Sequence, residues 1–155
     1  MQKGKRPPAS SSATLLARAE AITKARGARL TALRREVLQL VLEAGAPIGA
    51  YDLLAALRLR HARAAPPTVY RALDFLLEQG LIHRIARLSA FIGCIGHEAG
   101  HAAQFLICRR CGQVLEIDAA EVTLALAQAA QRFAFMVAGA TIEAEGLCAT
   151  CALRA

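Results

Sequence analysis

Two C-x-x-C pairs constrain this chain more than any other feature. Cys108 and Cys111 form the first, followed by Gly112, which lets the backbone turn tightly so that both sulfurs reach one ion. Cys148 and Cys151 form the second, with 36 residues between the pairs. Four thiolates from two such knuckles suit a closed, tetrahedral, structural zinc site. The ordinary alternatives are a disulfide or buried thiols. The N-terminus is basic and Ser-rich without an apolar signal segment, so a cytoplasmic location is expected. In a reducing compartment, paired C-x-x-C motifs mean metal more often than disulfide. The gap exceeds that of a compact zinc ribbon, so a whole subdomain must bring the knuckles together.

Charge divides the chain in the same way. Residues 1–90 carry 15 Lys/Arg against 6 Asp/Glu, a balance of +9, whereas residues 91–155 carry 4 against 6, a balance of −2. A basic first part points to a polyanionic partner, most simply nucleic acid; the alternative is a solvated basic surface. Aromatic residues make up only 5%, which argues against a stacking platform for single strands. No apolar run reaches the roughly 20 residues of a membrane span.

Residues 1–12 read as a disordered basic tail. Helical spacing over Thr14–Arg26 predicts a first helix, closed by Gly27. Thr31 caps a second helix whose apolar face is Leu33, Val37, Leu38, Leu40, Val41 and Leu42, ending at Gly45. Residues 46–49 read as a connector, and a third helix runs over about Ala50–Arg60. Pro66-Pro67 open a fourth helix that stops at Gly80, with Val69, Leu73, Leu76 and Leu77 as its buried stripe. Leu81–Ala86 and Ala90–Ile95 then read as a β-hairpin. Short helices followed by a hairpin are the order of a winged helix-turn-helix, whose last helix enters the major groove. A winged-helix DNA-binding domain is thus expected over 13–95, with a hinge over 96–102 and a second domain over 103–155. There, strands over Gln104–Ile107 and Gln113–Ile117, a helix over Glu121–Arg132 and a strand over Phe135–Ile142 are predicted. The fold class is α+β: an N-terminal winged helix-turn-helix, then a small α/β dimerisation domain with a four-cysteine zinc site.

The residues carry a family likeness. Arg29-Leu-Thr31, Ala50-Tyr-Asp-Leu-Leu54, Pro66-Pro-Thr-Val-Tyr-Arg-Ala-Leu-Asp-Phe-Leu-Leu-Glu-Gln-Gly80, Phe105-Leu-Ile-Cys-Arg-Arg-Cys-Gly112 and Glu143-Ala-Glu-Gly-Leu-Cys-Ala-Thr-Cys151 resemble the ferric uptake regulator (Fur) superfamily, above all its zinc-uptake-regulator branch. The resemblance covers about residues 14–151. It implies a homodimeric, metal-activated repressor, not an enzyme, with no membrane partner and no small-molecule substrate. The zinc-loaded dimer would bind palindromic double-stranded operators of zinc-uptake genes and release them when zinc is scarce. It implies two zinc ions per chain. Cys108, Cys111, Cys148 and Cys151 would hold the structural ion, and His83, Cys94, His101 and Glu116 a regulatory ion between the domains. Contacts to DNA are implied for Tyr51, in the third helix, and for Thr68, Tyr70 and Arg71, in the fourth.

Two imidazoles, one thiolate and one carboxylate make a four-coordinate set that zinc accepts well. Each ligand has an ordinary alternative: a surface histidine for His83, a small buried hydrophobe for Cys94, a solvated strand residue for Glu116. Iron-sensing relatives carry a His-rich run before the first knuckle. Here that run is His101-Ala-Ala-Gln104, which argues for zinc over iron; His97 is a second-choice ligand. The competing readings are an iron- or peroxide-responsive regulator of the same superfamily, a zinc hydrolase or deaminase, and a thiol redox protein without a DNA role. Catalytic zinc needs an open coordination position, and four protein ligands at each site leave none. His97-Glu98 also lacks the H-x-E spacing of zinc deaminases.

Overall fold

The computed structural model describes residues 12–94 and 102–154. Its contacts divide the chain into two compact units, residues 1–97 and 98–155. The expected hinge up to residue 101, with His97 and His101, lies outside the described residues, as does the tail up to residue 11.

The first unit runs α1 (Ser12–Ala25), α2 (Ala32–Ala44), β1 (Ile48–Gly49), α3 (Ala50–Arg58), α4 (Pro66–Glu78), β2 (Ile82–Ile85) and β3 (Ala90–Gly93). Helix α1 thus starts at Ser12, inside the expected tail. Local chemistry accounts for the ends of these helices. Thr31 caps α2 through its hydroxyl, and Gly45 ends it at φ 61°. Prolines occupy the first turn of α4, where no intrahelical N–H is needed. Its other end closes as a paired turn: Gly80 N–H donates to Leu77 O and Leu81 N–H to Leu76 O, with Gly80 at φ 66°.

Helix α4 packs against α2, α3 and β2. Three neighbours make its buried arc wider than one stripe. Val69, Leu73 and Leu76 are buried as expected, Ala72 and Phe75 join them, and Leu77 is only half-buried. The segment read as a connector contains β1, which pairs antiparallel with β3 through Ile48 and Phe91, so the wing is a three-stranded sheet ordered β1-β3-β2. A two-residue strand has no periodicity to read. Strands β2 and β3 form the expected hairpin around a single 3₁₀ turn, Ala86–Leu88.

The second unit runs β4 (Ala103–Cys108), β5 (Val114–Ile117), α5 (Ala120–Gln131), β6 (Thr141–Gly146) and the short α6 (Ala149–Ala152). The sheet order is β5-β4-β6, with β5 antiparallel and β6 parallel to the buried central strand. A parallel neighbour requires a crossover, and α5 provides it. Gln104, 2% exposed, fastens α5 to the sheet by donating to Ala119 O (2.9 Å) and Thr123 Oγ1 (3.0 Å). The last strand departs from the sequence expectation. It occupies Thr141–Gly146 rather than Phe135–Ile142. The apolar residues that suggest an earlier strand lie exposed in the preceding loop, Phe135 at 64% and Met136 at 91%. Pairing with β4, rather than local hydrophobicity, decides where β6 lies. Among the described residues no helix is long and apolar enough to cross a membrane.

Candidate metal centre and nucleic-acid surface

The four-cysteine cluster is built by strand register. Parallel pairing sets Cys108, the last residue of β4, opposite Gly146, the last residue of β6. The chain leaving β6 therefore delivers Cys148 two residues later beside Cys108. Arg109 N–H reinforces this by donating to Gly146 O at 3.0 Å. The first knuckle closes on itself: Gly112 N–H donates to Cys108 O at 2.9 Å, with Gly112 at φ 71°, a conformation that favours glycine. Cys148 occupies the residue just before α6 and Cys151 follows one turn later, so both sulfurs share one face of that turn. The four Sγ atoms lie within 4.8 Å of one another. Cys111 Sγ and Cys148 Sγ are 3.8 Å apart.

The environment of these thiols is already arranged for anions on one side. Cys148 N–H donates to Cys108 Sγ at 3.4 Å. That contact, followed by the N–H of Cys111, holds the Cys108 thiol down to about 6. Cys151 goes the other way: burial, then the neighbouring thiols, push it up to about 12. Four sulfurs of soft, thiolate-forming type, converging from two turns, fit a tetrahedral zinc ion with no position left for water.

The remaining expected ligands are placed as follows. His83 lies half-buried on β2 and Cys94 is buried just beyond β3. Cys94 N–H bonds Leu81 O at 2.9 Å, and the ligand atoms of His83 and Cys94 lie within 4.8 Å of each other. Glu116 is half-buried on β5 in the second unit, opposite Phe105. His101 lies outside the described residues.

In the first unit, α3 and α4 carry the expected DNA contacts. Tyr51, in the first turn of α3, is 76% exposed, and Tyr70 on α4 is 44% exposed. Arg71 is exposed and Thr68 half-buried. Tyr51 on α3 and Tyr70 and Arg71 on α4 are thus exposed side chains of two successive helices. Two arginines that sequence reasoning did not single out brace α4 from behind. Arg34 of α2 stacks on the Phe75 ring at 3.7 Å from its centroid. Arg26, after α1, donates to Gln79 O at 2.6 Å, at the carbonyl end of α4. Nothing in their local sequence marks them, because their partners are distant in the chain.

Similarity to known proteins agrees with this geometry. The profile of the ferric uptake regulator family matches residues 25–144. The zinc uptake regulation protein of Escherichia coli (strain K12) is 44% identical over 138 residues, 88% of this chain and 81% of that protein. The solved structure of a zinc uptake regulator complexed with zinc and DNA superposes with a TM-score of 0.86 at 41% identity, covering 94% of this chain and 97% of that one. The crystal structure of holo XcZur gives 0.81 at 40% identity, covering 92% and 99%.

Proposed function

This chain belongs to the ferric uptake regulator family, and from that premise we propose that it is a zinc-responsive transcriptional repressor acting as a homodimer in the cytoplasm. Its ligand is double-stranded, palindromic operator DNA, and it is a regulator rather than an enzyme. The observation that carries this reading is the 41% identity, across both units, to a zinc uptake regulator bound to zinc and DNA. The converging cysteines and the exposed α3–α4 face support it.

Cys108, Cys111, Cys148 and Cys151 would hold a structural zinc ion, which when bound crosslinks the end of β4 to the C-terminal turn. His83, Cys94, His101 and Glu116 are the proposed ligands of a second, regulatory zinc; the Cys94 thiolate makes that set softer and favours zinc over iron. Tyr51, Thr68, Tyr70 and Arg71 meet the operator, and the Arg71 guanidinium is suited to the O6/N7 edge of guanine. The dimer is supported by α5, which has no buried residue in the single chain and exposes Val122, Leu124 and Leu126. A second copy would cover that apolar face.

The test is operator binding by gel shift on a candidate palindrome, with and without free zinc. Zinc-dependent binding that exceeds binding to random DNA is expected. Equal affinity for operator and random sequence, or indifference to zinc, would overturn the reading.

A further inference from the structure

We propose that Arg110 is a positioning residue of the four-cysteine centre, one that holds Cys151 in place and slows loss of the ion. The inference rests on the reading of that centre as a metal site. Arg110 lies inside the first knuckle, between Cys108 and Cys111. Its guanidinium crosses to the second knuckle, where Nη1 donates to the Cys151 carbonyl at 2.9 Å in a partly buried contact. The two residues are 41 apart in the chain.

Cys151 needs such a partner more than the other three. Cys108 is held in a strand, Cys111 in the turn closed by Gly112, and Cys148 by its N–H to Cys108 Sγ. Cys151 sits on α6, a helix of four residues. So short a helix has no stability of its own. The bonds between knuckles at Gly146 and Cys148 stop short of Cys151. Only the Arg110 side chain, among the described bonds, reaches from the first knuckle to the Cys151 backbone. The guanidinium also carries charge of the right sign. Four thiolates around a divalent ion leave a net charge of −2, which a nearby cation offsets. Groups that orient metal ligands from behind change metal affinity by about 10–100-fold when removed. Lysine would keep the charge but not the planar donor geometry.

The experiment uses the full chain carrying Cys94→Ser, in which the four knuckle cysteines are the only thiols left of the chain's 5. This parent, and the same protein with Arg110→Ala, Arg110→Lys or Arg109→Ala, are loaded with Co²⁺. Loss of the sulfur-to-cobalt charge-transfer band to excess chelator is timed. Arg109 is the charge control, since its bond at the site comes from the backbone N–H. Arg110→Ala should speed cobalt loss at least about tenfold with the band position unchanged. Arg110→Lys should fall between, and Arg109→Ala should stay within about twofold of the parent. Loss from Arg110→Ala at the parent rate would overturn the proposal, and so would equal acceleration by Arg109→Ala, which would reduce the effect to net charge. A parent that forms no tetrathiolate band would instead remove the metal-site reading beneath it.

Discussion

At the scale of single residues, the proposed operator contacts fall on side chains that the fold does not use. Arg71 and Tyr70 point out of a helix whose other face is core, so changing them costs little stability. Arg71→Ala should lose about 1–3 kcal/mol of discrimination against non-operator DNA while zinc content stays that of wild type; fluorescence anisotropy on operator and scrambled duplexes measures it. Cys94 is a different case because it is buried. Cys94→Ser is nearly isosteric and should keep the fold and the four-cysteine zinc, yet lose most zinc-dependent operator binding. A zinc titration of operator affinity, with metal content, decides: a wild-type titration would make Cys94 a plain core thiol. Gly93, beside it, is constrained by packing. A Cβ there would stand 2.6 Å from Leu42 Cδ2. The obstructing atom is the tip of a half-buried leucine, so Gly93→Ala should move Leu42 and cost only about 0.5–1.5 kcal/mol, read from the urea midpoint at fixed zinc.

At the scale of elements, the second unit has the sparser core, and the proposed four-cysteine zinc would be its support. Its α5 buries nothing in the single chain, and β6 shows only half-buried or exposed residues. Structural zinc contributes on the order of 10 kcal/mol in small domains. Cys108→Ser, or exhaustive chelation, should thus abolish stable dimers rather than merely weaken sensing; sedimentation together with thermal unfolding checks this. The thiols also define a proton balance. At neutral pH, without an ion, Cys108 is largely thiolate and Cys151 remains a thiol. Zinc uptake must then release the Cys151 proton, which a weakly buffered titration detects. The apolar face of α5 offers an independent test of assembly. Leu124 is 61% exposed, so Leu124→Glu should leave the chain folded and monomeric, with operator affinity lost because one half-site cannot hold a dimeric repressor.

For the whole molecule, the strongest long-range attraction to DNA comes from the charge asymmetry between residues 1–90 and the remainder. Neutralising about six phosphates would cost on the order of 10³-fold in affinity between about 50 and about 200 mM salt. A log–log plot of affinity against salt measures the slope, and a flat plot would mean that the basic surface does not meet phosphate. Zinc and operator should also be coupled reciprocally. If zinc raises operator affinity by some factor, operator must raise zinc affinity by the same factor.

Much of this was legible in the chain itself, for physical reasons. Helix ends are local chemistry, so Thr31, Gly45, Pro66 and Gly80 marked α2 and α4 to within a residue or two. Cysteine spacing is local as well, and it was enough to expect a four-sulfur cluster. What the sequence could not decide depends on pairing between distant segments. Strand β1 exists only because β3 accepts it, and β6 starts six residues later than its hydrophobic run suggested because β4 sets the register. That same register, Cys108 opposite Gly146, turns two separate C-x-x-C pairs into one cluster. The arginines that brace α4 and Cys151 act across dozens of residues of chain. Turn chemistry and spacing are written residue by residue, whereas register and long-range hydrogen bonds appear only when the chain has folded.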